Sequence, residues 1–146
     1  MKSIAAALMA LTLAVPAWAG GETASNPDAQ VYFANIKDGD TFVSPVTVIF
    51  GLSGMGVAPA GTEKDNTGHH HLLIDRPPLG QGEDGADELA NGIASDEHHL
   101  HFGGGQTEAS IELEPGQHTL QLVLGDLGHV PHSNPIVSDV ITIVIE

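Results

Sequence analysis

Histidine is the residue through which this chain could do chemistry. His69, His70 and His71 stand in "TGHHHLLID"; His98, His99 and His101 stand in "DEHHLHFGGGQTE"; His129 and His132 bracket "HVPH". Neutral imidazole nitrogens suit Cu(II), Zn(II) and Ni(II). On an extended strand alternate side chains share a face. His69 and His71 then point one way and His70 the other, and His99 and His101 share a face if their segment is extended. Such an H-x-H pair supplies two ligands to one ion, and a third or fourth imidazole from another segment completes the site. The candidate metal ligands are His69, His71, His99, His101, His129 and His132, and the expected ion is Cu(II) or Zn(II). Asp96, Glu108 or Asp126 would add an oxygen ligand or orient an imidazole from behind. Binding should weaken as pH falls through about 6.5, where free imidazoles protonate.

The competing reading makes the histidines structural, each hydrogen-bonded to a loop carbonyl. The chain would then be an envelope module that binds a protein partner or a glycan. Two histidines fit that role best. His118 shares parity with Leu120 and Leu122 and should cap the edge of the core. His70 shares parity with Leu72 and Ile74.

The elements that must position these residues read as β-strands. Segments 30–36, 46–52, 70–75, 107–113, 118–125 and 138–146 are rich in β-formers or alternate at period two, and Gly/Pro turns separate them. Helical periodicity is nearly absent, apart from a turn of helix near 86–90. The fold class is therefore all-β: an immunoglobulin-like antiparallel β-sandwich of six to seven strands, with a small β-barrel as runner-up. Alternating strand direction sends all three histidine groups to one end of the sandwich. That convergence requires residues 76–97 to return from one end to the other. Residues 126–135 read as a loop.

Residues 1–19 read as a secretory signal peptide: Lys2, an apolar run from Ile4 to Val15, then Ala17-Trp18-Ala19. Residues 20–28 read as a flexible leader, and residues 29–146 as a single domain. The expected location is the bacterial periplasm or the exterior, with no membrane span once the signal is cleaved. After Ala19 the chain keeps three basic residues, Lys37, Lys64 and Arg76, against nineteen acids, a formal charge of three minus nineteen, or −16. Nucleic-acid binding needs a basic footprint, and this balance argues against it. A negative field does concentrate cations. The chain has no cysteine, which excludes thiolate ligands, thiol catalysis and a blue-copper site.

Other motifs carry less. The glycines of "FGGGQTE" are not a phosphate loop, because no Lys closes them and no helix follows. "DGD" at 38–40 and "EDGADE" at 83–88 lack the spacing of an EF-hand. No G-x-S-x-G elbow is present. Copper-zinc superoxide dismutases also carry H-x-H on a β-sandwich, but this chain lacks the cysteines of that family's disulfide. No catalytic constellation emerges, so the expectation is a binding protein rather than an enzyme.

Three motifs in order, "PAGTEKDNTGHHHLLID", "HLHFGGGQTEASIELEPGQHTLQLVLGD" and "HVPHSNPIVSDVITI", resemble an uncharacterised family of bacterial secreted domains. The family is catalogued as a domain of unknown function, and some of its members carry a rod-shape label. The resemblance spans about Gln30 to Glu146. It implies a bacterial exported β-domain and carries no established activity.

Overall fold

The computed structural model describes residues 20–146. The signal-peptide reading of residues 1–19 lies outside the described residues. The chain folds as an all-β sandwich of two sheets. In chain order the elements are β1 (Gln30–Phe33), β2 (Thr41–Phe42), β3 (Val46–Ser53), β4 (Gly56–Val57), β5 (Thr67–Ile74), α1 (Gly85–Asn91), β6 (His99–His101), β7 (Glu108–Ile111), β8 (Gly116–Gly125), β9 (Pro131–Val137) and β10 (Ile141–Ile145). Every strand expected from the sequence is present. The number is higher because the structure adds β2, β4, β6 and β9.

The smaller sheet is β1-β3-β7. The larger runs β2-β10-β8-β5-β4, with β6 paired to β5 and β9 paired to β8. Alternation decides the inner faces. On β3, Val46, Val48 and Phe50 are buried while Thr47 and Ile49 face out. Leu72 and Ile74 of β5, Leu120, Leu122 and Leu124 of β8, and Ile141, Ile143 and Ile145 of β10 meet them from the other sheet. This aliphatic layer is the main core, the larger of two apolar clusters among the described residues. Among the described residues no helix is long and apolar enough to cross a membrane.

The outer face of the larger sheet would meet water in a simple sandwich, but here it is covered. His69, His71 and Leu73 of β5 and Gln121 and Val123 of β8 share that face, and all are buried. The cover is the segment between β5 and β6. Its Leu79, Leu89 and Ile93 pack on Leu73 and Val123. The Leu79 amide donates to Gln121 Oε1 at 2.9 Å, and the Gln121 amide group donates to the Ser138 carbonyl at 3.1 Å. Arg76 pairs with the buried Glu88 of α1, which ties the start of the cover to its helix.

This segment corrects the expected path. It climbs until Gly92 lies against the His129 carbonyl, where a methyl on Gly92 would stand 2.7 Å from the oxygen. It then descends again, so that the Ile74 amide donates to the His98 carbonyl at 2.9 Å. Residues 76–97 therefore begin and end at the same end of the sandwich, and β6 makes the crossing. It runs antiparallel to β5, with His99 opposite Leu73 and His101 opposite His71. Pairing on a sheet edge needs only three residues, whereas a free crossing needs the whole connection.

A second correction concerns residues 131–135, part of the segment 126–135 read as a loop. Pro131 and Pro135 lie on β9, an edge strand, where a missing N–H costs no ladder bond. Beside β9 lies segment 20–28. Gly21 N–H donates to the Pro131 carbonyl at 2.8 Å, and Ser133 N–H donates to the Thr23 carbonyl at 2.8 Å.

Candidate metal centre

Strand pairing brings four imidazoles to one point on the covered face. His69 and His71 project from β5, His101 from β6, and His129 from the turn after β8. One ring nitrogen from each lies within 4.8 Å of all the others. His69 and His71 are fully buried, whereas His101 and His129 are exposed at the mouth. An opening of about 300 Å³ leads to the cluster, edged by Asn91, Gly92, Ile93 and Gly128.

His69 Nε2 is the hub. It stands 3.0 Å from His71 Nε2, 3.1 Å from His101 Nε2 and 3.2 Å from His129 Nδ1. An ion with metal–nitrogen bonds of about 2.0–2.1 Å sets tetrahedral donor atoms about 3.3 Å apart. A neutral imidazole nitrogen has one in-plane position, either a proton or a lone pair. It cannot satisfy three nitrogen neighbours by hydrogen bonding, but a shared cation can.

One tautomer is dictated from outside the cluster. The Ala94 carbonyl can only accept, so His99 Nδ1 donates to it, at 2.9 Å. His99 Nε2 is then an acceptor, and His71 Nδ1 donates to it at 2.7 Å. That leaves His71 Nε2 as a bare lone pair aimed at the hub. Metal-bound imidazoles are commonly fixed in this way through their second nitrogen.

The electrostatics favour neutral rings. Burial, then the facing His101 and His129 rings, bring the His69 pKa down from 6.5 to about 4. Burial, then His69 and His99, bring that of His71 down to about 2. His101 is lowered as well, by burial and then by His129. The buried pair is therefore deprotonated and ligand-ready at neutral pH.

Two features of the β8 end shape the site. A methyl on Gly125 would lie 2.4 Å from His71 Nε2, so this glycine leaves the space the ring occupies. Beyond it, Asp126 builds the turn that carries His129. Asp126 Oδ1 accepts from Gly128 N–H at 2.8 Å and from Val130 N–H at 3.0 Å. His129 itself sits at φ 70°, a left-handed conformation uncommon for a residue with a side chain. Burial tends to raise the Asp126 pKa. The hydrogen bonds from Thr23, Val130 and Gly128 outweigh it and hold the carboxyl below its ordinary 3.8.

Of the six candidate ligands, the structure brings His69, His71, His101 and His129 together. His99 stands behind His71 as its hydrogen-bond acceptor. His132 is buried on β9 with Nε2 3.4 Å from the Thr67 carbonyl, away from the four. His70 points into the core against Phe50 and donates from Nδ1 to the Gln106 carbonyl at 3.3 Å. His118 lies at the far end, 2.6 Å from Asp75 Oδ2. Asp126 acts from behind, through the His129 turn. Sequence reasoning missed Gly125, which reads only as the last residue of the strand segment 118–125, and the Ala94 carbonyl, which no side-chain pattern signals.

Fold and site together define a β-sandwich domain with a four-imidazole cluster set into the covered face of its larger sheet. The chain belongs to the family described as "Domain of unknown function (DUF4399)", whose model matches residues 48–146 and so contains all four cluster histidines. No curated protein and no solved structure matches the chain.

Proposed function

We propose that this chain is an exported bacterial domain that binds one divalent transition metal ion, copper or zinc, through His69, His71, His101 and His129. The observation that carries the reading is the crowding of three imidazole nitrogens, at 3.0, 3.1 and 3.2 Å, around His69 Nε2. Hydrogen bonding alone leaves at least two of those contacts unsatisfied. The charge of the domain supports the reading, since a strongly acidic surface draws in cations. The apolar run and A-x-A motif ahead of Gly20 support export.

Four imidazoles fill a tetrahedral shell, which suits holding or delivering an ion better than hydrolysing a substrate. The interaction-module reading draws on a different set of histidines. His70, His98, His99 and His118 each bond a backbone carbonyl, as scaffold residues do. The four of the cluster face one another instead. X-ray absorption on the zinc-loaded protein tests the proposal: it predicts four nitrogen scatterers at about 2.0 Å with the multiple scattering of imidazole. A shell dominated by oxygen, with fewer than three imidazoles, contradicts it.

A further inference from the structure

Resting on the metal reading above, we infer that Thr23 positions the ligand His129, acting through the Asp126 carboxylate, so that ion affinity depends on the N-terminal segment lying docked along β9. Three of the four ligands come from paired strands, β5 and β6, whose backbone is held by the sheet. His129 alone comes from a turn. That turn closes around Asp126: its amide donates to the Val130 carbonyl at 2.8 Å, and its carbonyl accepts from His129 N–H at 3.1 Å. Its Oδ1 takes the Gly128 and Val130 amides.

The other carboxylate oxygen, Oδ2, accepts from the Thr23 hydroxyl at 2.6 Å, across 103 residues of sequence. The carboxylate is therefore clamped at both oxygens, one by the turn and one by the N-terminal segment. Thr23 is held in turn by β9, through the Ser133 amide to its own carbonyl and the Gly21 amide to the Pro131 carbonyl. A left-handed residue such as His129 keeps its conformation only where its surroundings over-determine it. Removing the Thr23 bond frees one half of the clamp, and the ion must then order the turn as it binds. Thr23 lies outside the residues matched by the family model, so this support comes from the chain's own N-terminal segment.

The test is zinc affinity of the full chain, read by competition with a chromophoric chelator, in four variants and the wild type. Thr23→Val should weaken binding about tenfold, in the range seen when a hydrogen bond behind a ligand is lost. Thr23→Ser, which keeps the hydroxyl, should restore wild-type affinity. His129→Ala should weaken binding by itself, and adding Thr23→Val to it should change nothing further, because the residue through which Thr23 acts is gone. Wild-type affinity in Thr23→Val overturns the inference. So does an equal loss in both backgrounds, which marks a general effect on the fold. A wild-type chain that takes up no zinc removes the metal reading, and this inference with it.

Discussion

His71 Nδ1 stands 2.7 Å from His99 Nε2, and the direction of that hydrogen bond is set two links away, by the carbonyl of Ala94. His99 thereby presents the Nε2 lone pair of His71 to the cluster without joining it. Replacing His99 by Phe keeps the ring and removes the acceptor. Zinc affinity should fall by about 10- to 100-fold while the ion keeps four imidazoles. Competition titration with cobalt(II) absorption as the geometry readout checks both parts. Unchanged affinity would show that the relay does not tune the ligand.

Gly125→Ala places a methyl 2.4 Å from His71 Nε2, inside the space the ring occupies. The expected result is loss of metal binding, with overpacking lowering stability by about 1–3 kcal/mol. Urea denaturation and zinc titration on the same preparation separate the two. Retained binding would mean that the ring has another position open to it.

The cover over the histidine face depends on the Arg76–Glu88 pair, with Glu88 buried in α1. Glu88→Ala should loosen residues 76–97 while leaving the sandwich intact, since the main core lies on the other side of the sheet. Hydrogen exchange should speed up in that segment and stay slow in β5 and β8. Uniform acceleration would mean that the cover and the sandwich unfold as one unit.

His118 gives the pH dependence at the far end. Burial lowers its pKa, but the Glu114 carbonyl and the Asp75 carboxylate outweigh burial and raise it above 6.5. A raised folded-state value contributes stability that is fully present below 6.5 and is lost as pH rises through the folded value. His118→Ala should therefore lower the urea midpoint more at pH 5.5 than at pH 9. An equal gap at both values would remove the charge contribution. His69 and His71 act with the opposite sign, because burial holds their values down: the metal-free chain should lose stability as pH falls below 6.5.

Much of this architecture was legible in the chain. Period-two alternation in "VTVIFGLS" and "ITIVI" assigns β3 and β10 and their inner faces, and the same parity separates His69 and His71 from His70. Strand direction brings the histidine groups to one end only if residues 76–97 cross the sandwich; they do not, and β6 carries His101 there instead. The route was not legible. β6 is three residues long, and its place opposite His71 comes from pairing across 30 positions, which leaves no local trace. β9 was hidden by its prolines, which forbid a central strand but not an edge. His132 shows the same limit: "HVPH" sets its spacing from His129, yet only the fold turns one toward the cluster and the other toward Thr67.

The central claim is that four imidazoles hold one ion, and calorimetric titration of the purified chain with Zn(II) and Cu(II) at neutral pH tests it most directly. The account predicts saturable binding of one ion per chain, abolished in a His71→Ala/His101→Ala variant that still folds. No saturable binding by the wild type, or the same binding in the variant, would contradict it.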